Sequence, residues 1–311
     1  MRSRRSFTMR DVLLCGIAAA FGLAAAGCVH AQPGPPAYEP MREVGRVAHP
    51  AIDESSGLAA SRLNPGYLWT HNDSGDSPRL FLLKPTGELA LEYRVDLPRA
   101  IDWEDMAAFE LDGEHVLLVG DVGDNQARRS RLTLWLIPEP LYDPAQRFIQ
   151  PPTIGAARKL DFTFADGPQD CESVAFDPVT RTLILVTKVD PRKNLFTTAG
   201  VYLWPLPDED PDEPVVLERA ADLTLRITVA ADVSPDGSRC VVATYGDAWE
   251  YPRKPEETWA QAFAEPPHHV PLGPRGQSEA IAYSHDGGSL FLTAEGVNKP
   301  LWGVTRRAAK E

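Results

Sequence analysis

The chain has 311 residues and a formal net charge of -13, with 43% hydrophobic residues. This length and composition suffice for the buried core of one β-rich domain. Because the chain is acidic, nucleic acid and anionic lipid headgroups are poor partners, which argues against a nucleic-acid-binding protein or a membrane protein held by charge.

Residues 1–28 have the features of an export signal. Arg4 and Arg5 lie in the run Ser3-Arg4-Arg5-Ser6-Phe7, which resembles a twin-arginine motif. The apolar stretch after them is too short and too rich in alanine and glycine for a membrane span. A general secretory signal is the alternative. We therefore expect a periplasmic or outer-surface protein.

The end of this signal predicts a lipid anchor. The run Leu23-Ala24-Ala25-Ala26-Gly27-Cys28 resembles a lipoprotein cleavage box in which Cys28 carries the lipid, and cleavage after Ala31 is the alternative. Residues 29–41 are rich in proline, which is typical of a stiff tether. The membrane would then be contacted only through the lipid.

One hairpin pattern recurs five times in residues 42–311, the predicted folded domain. Each copy has an apolar run that opens with small or acidic residues, a turn, a second apolar run and a polar loop, which is typical of a β-hairpin. The copies begin at Asp53, Asp102, Cys171, Thr228 and Ser278. Their spacing of roughly fifty to seventy residues is within or a little above the range of propeller blades. The sequence therefore predicts an all-β, five-bladed β-propeller; six blades are the alternative, with a degenerate blade in residues 138–168.

Two further strands complete each predicted blade. We expect third strands in residues 79–83, 132–136, 201–204 and 249–251, and outer strands in residues 89–95, 158–164, 215–223 and 270–272. The fifth copy supplies only three strands, whereas residues 42–48 form a predicted strand without a hairpin partner. This N-terminal strand is predicted to complete the last blade and close the ring, which removes an open sheet edge. We expect no amphipathic helix longer than residues 256–264.

Cys171 and Cys240 are the cysteines of the predicted domain. Cys171 opens an inner strand at one face of the ring, whereas Cys240 opens a second strand at the opposite face. A disulfide needs α-carbons within roughly 7 Å of each other. The sequence therefore predicts two buried free thiols.

Acidic residues are predicted to meet at one end of the propeller channel. An inner strand starts at the face where the antiparallel second strand ends, so strand starts and polar loops surround the same mouth. The strand starts supply Glu54, Glu104, Glu172 and Glu279. The polar loops supply Asn72, Asp73, Asp121, Asp124, Asn125, Lys188 and Glu295.

So many carboxylates at close quarters need a counter-ion. Oxygen ligands favour Ca²⁺, and the lack of a histidine or cysteine cluster disfavours zinc. The predicted metal ligands are Glu54, Asn72, Asp73, Asp121, Asp124, Glu172 and Glu279. The predicted ligand-binding residues are Asn125, Arg128, Lys188 and Glu295. For each residue a purely structural role in a turn or backbone hydrogen bond is the alternative.

Four runs carry a resemblance to a known family. They are Glu54-Ser55-Ser56-Gly57-Leu58, Trp69-Thr70-His71-Asn72-Asp73-Ser74-Gly75, Trp103-Glu104-Asp105 and Gly120-Asp121-Val122-Gly123-Asp124-Asn125. They resemble motifs of exported bacterial propellers related to the phytase-like and gluconolactonase-like families. The resemblance implies a calcium-dependent propeller, six-bladed in those families, that acts on phosphoesters or lactones, with Glu54, Asn72 and Asp121 at the metal. It covers residues 53–131 well and the rest weakly.

Three functions follow as hypotheses. The first is an exported, lipid-anchored, monomeric propeller whose mouth binds calcium and a small molecule or an envelope protein. The second is a calcium-dependent hydrolase of phosphoesters or lactones, in which Glu104, Asp121 or His71 activates water at the metal. The third is an envelope assembly scaffold that uses the outer faces of the blades.

Overall fold

The computed structural model describes residues 37–189 and 197–307. The predicted export signal, Cys28 and the first part of the predicted tether lie outside these residues. Within the two ranges, no helix has the length and hydrophobicity that a bilayer crossing requires.

The described chain is built almost entirely of short strands. In chain order the elements are β1 (Arg42–Val47), β2 (Ser55–Ala60), β3 (Leu68–Asn72), β4 (Arg79–Leu83), β5 (Leu89–Asp96), β6 (Trp103–Leu111), β7 (Glu114–Asp121), β8 (Leu132–Pro138), β9 (Thr153–Gly155), β10 (Arg158–Phe164), β11 (Cys171–Asp177), β12 (Thr182–Thr187), β13 (Ala199–Pro205), β14 (Val215–Leu217), β15 (Arg219–Leu223), β16 (Thr228–Val233), β17 (Arg239–Thr244), β18 (Ala248–Pro252), α1 (Trp259–Ala264), β19 (His268–Val270), β20 (Ala280–Tyr283), β21 (Ser289–Thr293) and β22 (Lys299–Thr305).

These strands form five sheets, which are the five blades of a β-propeller. From the channel outward, the blades are β2-β3-β4-β5, β6-β7-β8-β10, β11-β12-β13-β15, β16-β17-β18-β19 and β20-β21-β22-β1. Each inner strand contacts the inner strand of the next blade, and β20 contacts β2. The prediction of a five-bladed ring is therefore confirmed.

The N-terminal strand closes the ring as predicted. β1 pairs antiparallel with β22, from Arg42 opposite Gly303 to Val47 opposite Lys299. Packing starts before this strand, because Tyr38 is buried and its hydroxyl donates to the Glu250 carboxylate. The domain therefore includes Tyr38, which the sequence analysis placed in the tether.

The long links between blades add strands to neighbouring blades. Residues 138–168 form no sixth blade; instead β9 pairs parallel with the outer edge of β5. The single outer strand predicted in residues 215–223 is divided, since β14 joins β10 of the second blade and β15 belongs to the third. The links therefore cover sheet edges that would otherwise be open.

Two element boundaries differ from the prediction for identifiable reasons. The outer strand of the fourth blade was predicted in residues 270–272, but it is β19, which ends at Val270. Pro271 cannot continue the strand, because proline has no N–H to donate to the ladder. The helix α1 begins at Trp259, because Thr258 caps it in a capping box with Gln261.

The core lies between adjacent blades. The inner strands β2, β11, β16 and β20 are buried along their whole length, because each faces a neighbouring blade on both sides. Cys171 and Cys240 are both buried and free, as predicted. The inner strands thereby form a closed ring that positions the residues at its two ends.

Candidate metal and ligand site at the channel mouth

The strand register brings strand starts and loop starts to one mouth of the channel. The first residue of an inner strand lies opposite the last residue of its partner, as in Ser55 with Asn72 and Cys171 with Thr187. The same relation holds for Trp103 with Asp121. The predicted geometry of the mouth is therefore confirmed.

A β-bulge at the start of the inner strands selects which residue enters the mouth. The register shifts between Ser55 and Gly57, between Trp103 and Met106, between Cys171 and Ser173, and between Thr228 and Ala230. A bulge places an extra residue in one strand and re-aims its side chain. In the fifth blade, the bond from Glu295 N–H to the Gln277 carbonyl gives Glu279 the same offset. The equivalent residues of the five blades are therefore Ser56, Glu104, Glu172, Val229 and Glu279.

This equivalence corrects the predicted series in the first blade. The sequence analysis aligned Glu54 with Glu104, but the bulge gives that place to Ser56, whose hydroxyl donates to Glu104 Oε2 at 3.4 Å. Glu54 is exposed, and its backbone N–H bonds to Asn72 Oδ1. Glu54 therefore lies two residues before this place, where the second blade has Asp102, and it is not among the carboxylates that lie within 4.8 Å of one another.

Five carboxylates converge in the mouth and are called the mouth carboxylates below. Oxygens of Asp73, Asp102 and Glu104 lie within 4.8 Å of one another, and so do oxygens of Asp73, Glu279 and Glu295. Asp73 comes from the first blade, Asp102 and Glu104 from the second, and Glu279 and Glu295 from the fifth. Asp73 is thus common to both groups.

Burial and mutual repulsion disfavour the charged form of these carboxyls. Burial, with the nearby charge of Glu172, raises the pKa of Glu104 well above its usual range. Burial raises the pKa of Asp73 to about 6. The pKa of Glu295 is raised to about 8, mainly by a hydrogen bond with Glu279 and secondly by burial. A bound cation would relieve this cost.

The opposite side of the mouth already contains a cation. Lys188 Nζ lies 2.7 Å from Glu172 Oε1 and 5.5 Å from the ring centroid of Tyr245. The Tyr245 hydroxyl in turn donates to Glu279. Although Lys188 opposes the effect, burial raises the pKa of Glu172 to about 8. Among the described residues, Glu172 therefore forms an ion pair of a kind that none of the mouth carboxylates forms.

A cavity of about 550 Å³, called the side cavity below, adjoins the mouth through Lys188. Four predicted site residues line it, namely Asp124, Asn125, Arg128 and Lys188. The Asp124 carboxylate accepts the backbone N–H groups of Arg128 and Arg129, each at 2.6 Å. Asp124 thus shapes the loop that forms one wall of the cavity.

Two other predicted metal ligands are occupied by contacts within the protein. The Asn72 amide donates to the Ala51 carbonyl and to Asp76, each at 2.8 Å. Asp121 forms an ion pair with Arg129 at 2.8 Å and accepts the backbone N–H of Ile101. These contacts hold both side chains within the protein, and Asp121 is not among the carboxylates that lie within 4.8 Å of one another.

His71, a predicted catalytic residue, is sealed between the first two blades. It is 0% exposed, and its ring packs against Trp103 with 5.4 Å between centroids. A Cβ on Gly57 would lie 2.4 Å from its Nε2 atom. Burial lowers its pKa to about 4. His71 is therefore neutral near pH 7 and packed away from solvent.

Three residues of the channel were missed by the sequence analysis as site residues. Asp102 is itself one of the mouth carboxylates, and the Tyr245 hydroxyl donates to another, Glu279. Asp105 lies at 0% exposure, where its Oδ2 accepts the backbone N–H of Val174 at 3.0 Å and of Ala231 at 2.8 Å. An acid inside an apolar inner strand was the available signal for Asp105.

No family model and no curated protein sequence matches the chain. Among solved structures, it is similar to the PQQ-bound form of an aldose sugar dehydrogenase from Streptomyces coelicolor, with a TM-score of 0.50 and 14% identity over 88% of this chain and 100% of that one. A gluconolactonase from Xanthomonas campestris has a TM-score of 0.46 and 11% identity, covering 89% of this chain and 99% of that one. The likeness to the dehydrogenase shows the propeller fold alone.

Proposed function

We propose that the mouth carboxylates bind one Ca²⁺ ion and that the side cavity binds a small molecule beside it. The observation that carries this proposal is the convergence of Asp73, Asp102 and Glu104 within 4.8 Å of one another. Such a group of acids is costly to keep ionised without a counter-ion.

The residues present fit calcium. The five mouth carboxylates offer only oxygen ligands, which calcium prefers, and include no histidine or cysteine. Gly123 leaves room for this group, since a Cβ there would lie 2.2 Å from Glu104 Oε1 and 2.5 Å from Asp102 Oδ2. Asp73, Asp102 and Glu104 would hold the ion.

The side cavity supplies the second half of the proposal. Its lining combines the cations Lys188, Arg128 and Arg219 with the carboxylates of Asp124 and Asp170. A volume of about 550 Å³ is in the usual range for small-molecule sites. We infer that its occupant is a polar small molecule that reaches toward the mouth.

The calcium proposal is tested with the variant Gly123→Ala. The three atoms that the new methyl group meets belong to the carboxyl groups of the flexible side chains of Glu104 and Asp102, so the fold should persist while these two groups are displaced. We expect calcium affinity, measured by titration calorimetry, to fall about tenfold or more, which corresponds to about 1.4 kcal/mol.

Gly155→Ala is the matched control, because nothing lies within 4 Å of a Cβ at that exposed position. It should bind calcium like the wild type. The proposal is wrong if the wild type shows neither binding heat nor a rise in melting temperature with calcium. It is also wrong if Gly123→Ala binds as tightly as the control.

A second candidate function is a calcium-dependent hydrolase of phosphoesters or lactones. It is favoured by Glu104, a buried carboxyl with a strongly raised pKa in the mouth. In this arrangement Asp73, Glu279 and Glu295 would hold calcium, which would stabilise negative charge on the substrate. Glu104 would take a proton from water as the water oxygen bonds to the substrate, and would return it to the leaving oxygen.

The variant Glu104→Gln separates the two candidates. If Glu104 binds the metal, calcium affinity falls; if Glu104 transfers protons, affinity persists and hydrolysis is lost. A panel of phosphoesters and lactones, assayed with calcium, provides the readout. Lack of turnover by the wild type, or unchanged turnover by the variant, would remove the hydrolase.

We also propose that the protein is exported and anchored in the cell envelope through Cys28. The support is the signal-like composition of residues 1–28 and the run that ends at Cys28. Replacement of Cys28 by serine should move the protein from the membrane fraction to the soluble fraction. An unchanged distribution between these fractions would contradict the anchor.

A further inference from the structure

The second blade contains a basic cavity that the proposed calcium site does not use. Its volume is about 430 Å³. Its walls come from the loop before β6, the loop after β7 and the outer strands β8 and β10. The side chains that matter here are Arg99, Arg128, Arg129, Arg131, Lys159 and Trp135.

The charge of this cavity is opposite to that of the protein. Five cationic side chains line it, whereas the chain as a whole has a net charge of -13. The one carboxylate in its lining, Asp121, already pairs with Arg129 at 2.8 Å. Asp161 lies 2.6 Å from Lys159 and 3.5 Å from Arg131. Positive charge therefore remains in excess after both carboxylates are counted.

Two of the arginines are available for a ligand. The side chains of Arg99 and Arg128 are exposed and form no hydrogen bond or ion pair with any residue in the described ranges. Exposed arginines on an acidic protein would normally gain from nearby carboxylates. Their grouping here favours an external anion.

An unsatisfied donor lies in the same wall. Trp135 lines the cavity, and its indole Nε1 is buried without a hydrogen-bond partner among the described residues. Lys159 Nζ lies 5.8 Å from the centroid of the indole ring. A buried N–H without an acceptor is costly, so an acceptor from a ligand would be favourable.

We propose that this basic cavity binds a small molecule carrying a tetrahedral oxyanion, either a phosphate or a sulfate group. Several guanidinium groups around one cavity match the oxygens of such a group, because each presents N–H donors in a planar fork. None of the five mouth carboxylates, which would repel the same anion, lines this cavity. This site is independent of the proposed calcium site.

The test is titration of the full-length protein with inorganic phosphate, sulfate and chloride at constant ionic strength, followed by calorimetry and tryptophan fluorescence. We expect saturable binding of phosphate or sulfate but not of chloride. The tetrahedral anion that binds more tightly identifies the ligand class. Binding indistinguishable from that of chloride would overturn the proposal.

Charge reversal locates the site. Arg99→Glu with Arg131→Glu should weaken oxyanion binding at least tenfold, since both side chains are exposed, both line this cavity and neither lines the side cavity. Arg147→Glu is the control, because Arg147 is exposed and its guanidinium bonds only to nearby backbone carbonyls. Equal affinity in the double variant and the control would place the anion elsewhere and refute the assignment.

Discussion

Asp105 joins three blades through one carboxylate. Its Oδ2 atom accepts backbone N–H groups from β11 and β16, while its Oδ1 accepts that of Met106 at 2.9 Å. Burial raises the pKa of Asp105 well above its usual range, although the three N–H donors oppose this rise. The Asp105 carboxylate therefore provides acceptors for three backbone N–H groups that would otherwise be buried and unpaired.

We predict that Asp105→Asn destabilises the domain by about 3 kcal/mol. An asparagine keeps one acceptor oxygen, and its NH₂ group would face backbone N–H groups. The measurement is urea unfolding, read as the free energy of unfolding. Asp96→Asn, at an exposed position at the end of β5, should change this free energy by less than about 0.5 kcal/mol. Equal stability of the two variants would show that Asp105 does not join the blades.

At the scale of strands, the hairpin pattern was enough to predict the ring. Turn residues and paired apolar runs are local signals, so β4 and β10 were predicted at their observed bounds. The strands β9 and β14 were not expected as separate edge strands, because each has three residues and pairs with a strand distant in sequence. Edge pairings of this kind leave no local pattern.

The bulge explains which part of the site could be predicted. Glu104, Glu172 and Glu279 occupy equivalent places, as expected from their positions before apolar runs. In the first blade two serines follow Glu54, and only the register shows that Ser56 holds the equivalent place. A bulge inserts one residue without changing the surrounding composition. The sequence pattern alone therefore predicted where the mouth lies but could not identify every residue whose side chain enters it.

Besides its pairing with β22, the N-terminal strand makes a close backbone contact with the first blade. Arg46 N–H donates to the Thr86 carbonyl at 2.8 Å, beside Gly45 of β1. A Cβ at Gly45 would lie 2.3 Å from this carbonyl oxygen and 2.9 Å from Thr86 Cα. Because these are backbone atoms, they cannot move aside as a side chain would.

We therefore predict that Gly45→Ala destabilises the closed ring by about 2 kcal/mol, within the usual cost of overpacking. The measurement is again urea unfolding. Gly273→Ala is the matched control, since a Cβ there would meet only Met41 Cε at 3.7 Å. If both variants unfold at the same urea concentration as the wild type, β1 is not held by this contact.

At the scale of the whole molecule, positive and negative side chains are distributed unevenly around the channel mouth. On one side Lys188 pairs with Glu172, whereas the mouth carboxylates, from the first, second and fifth blades, form no ion pair with any residue in the ranges 37–189 and 197–307. The ring brings together acids that are distant in sequence, and their repulsion opposes the folded state. A ligand that binds only the folded state would offset this repulsion.

The raised pKa values of the mouth carboxylates predict how the stability of the folded protein depends on pH. The pKa of Asp73 rises from 3.8 to about 6 on folding, and that of Glu295 from 4.5 to about 8. Between these ordinary and raised values the folded protein holds more protons than the unfolded chain, so its stability decreases as pH increases. In a chelator, we expect the melting temperature to fall steadily from about pH 5 to pH 8. Calcium binds the ionised carboxylates and should remove or reverse this fall. A melting temperature that is constant or rises over this range in the chelator would show that folding does not raise the pKa values of these carboxyls.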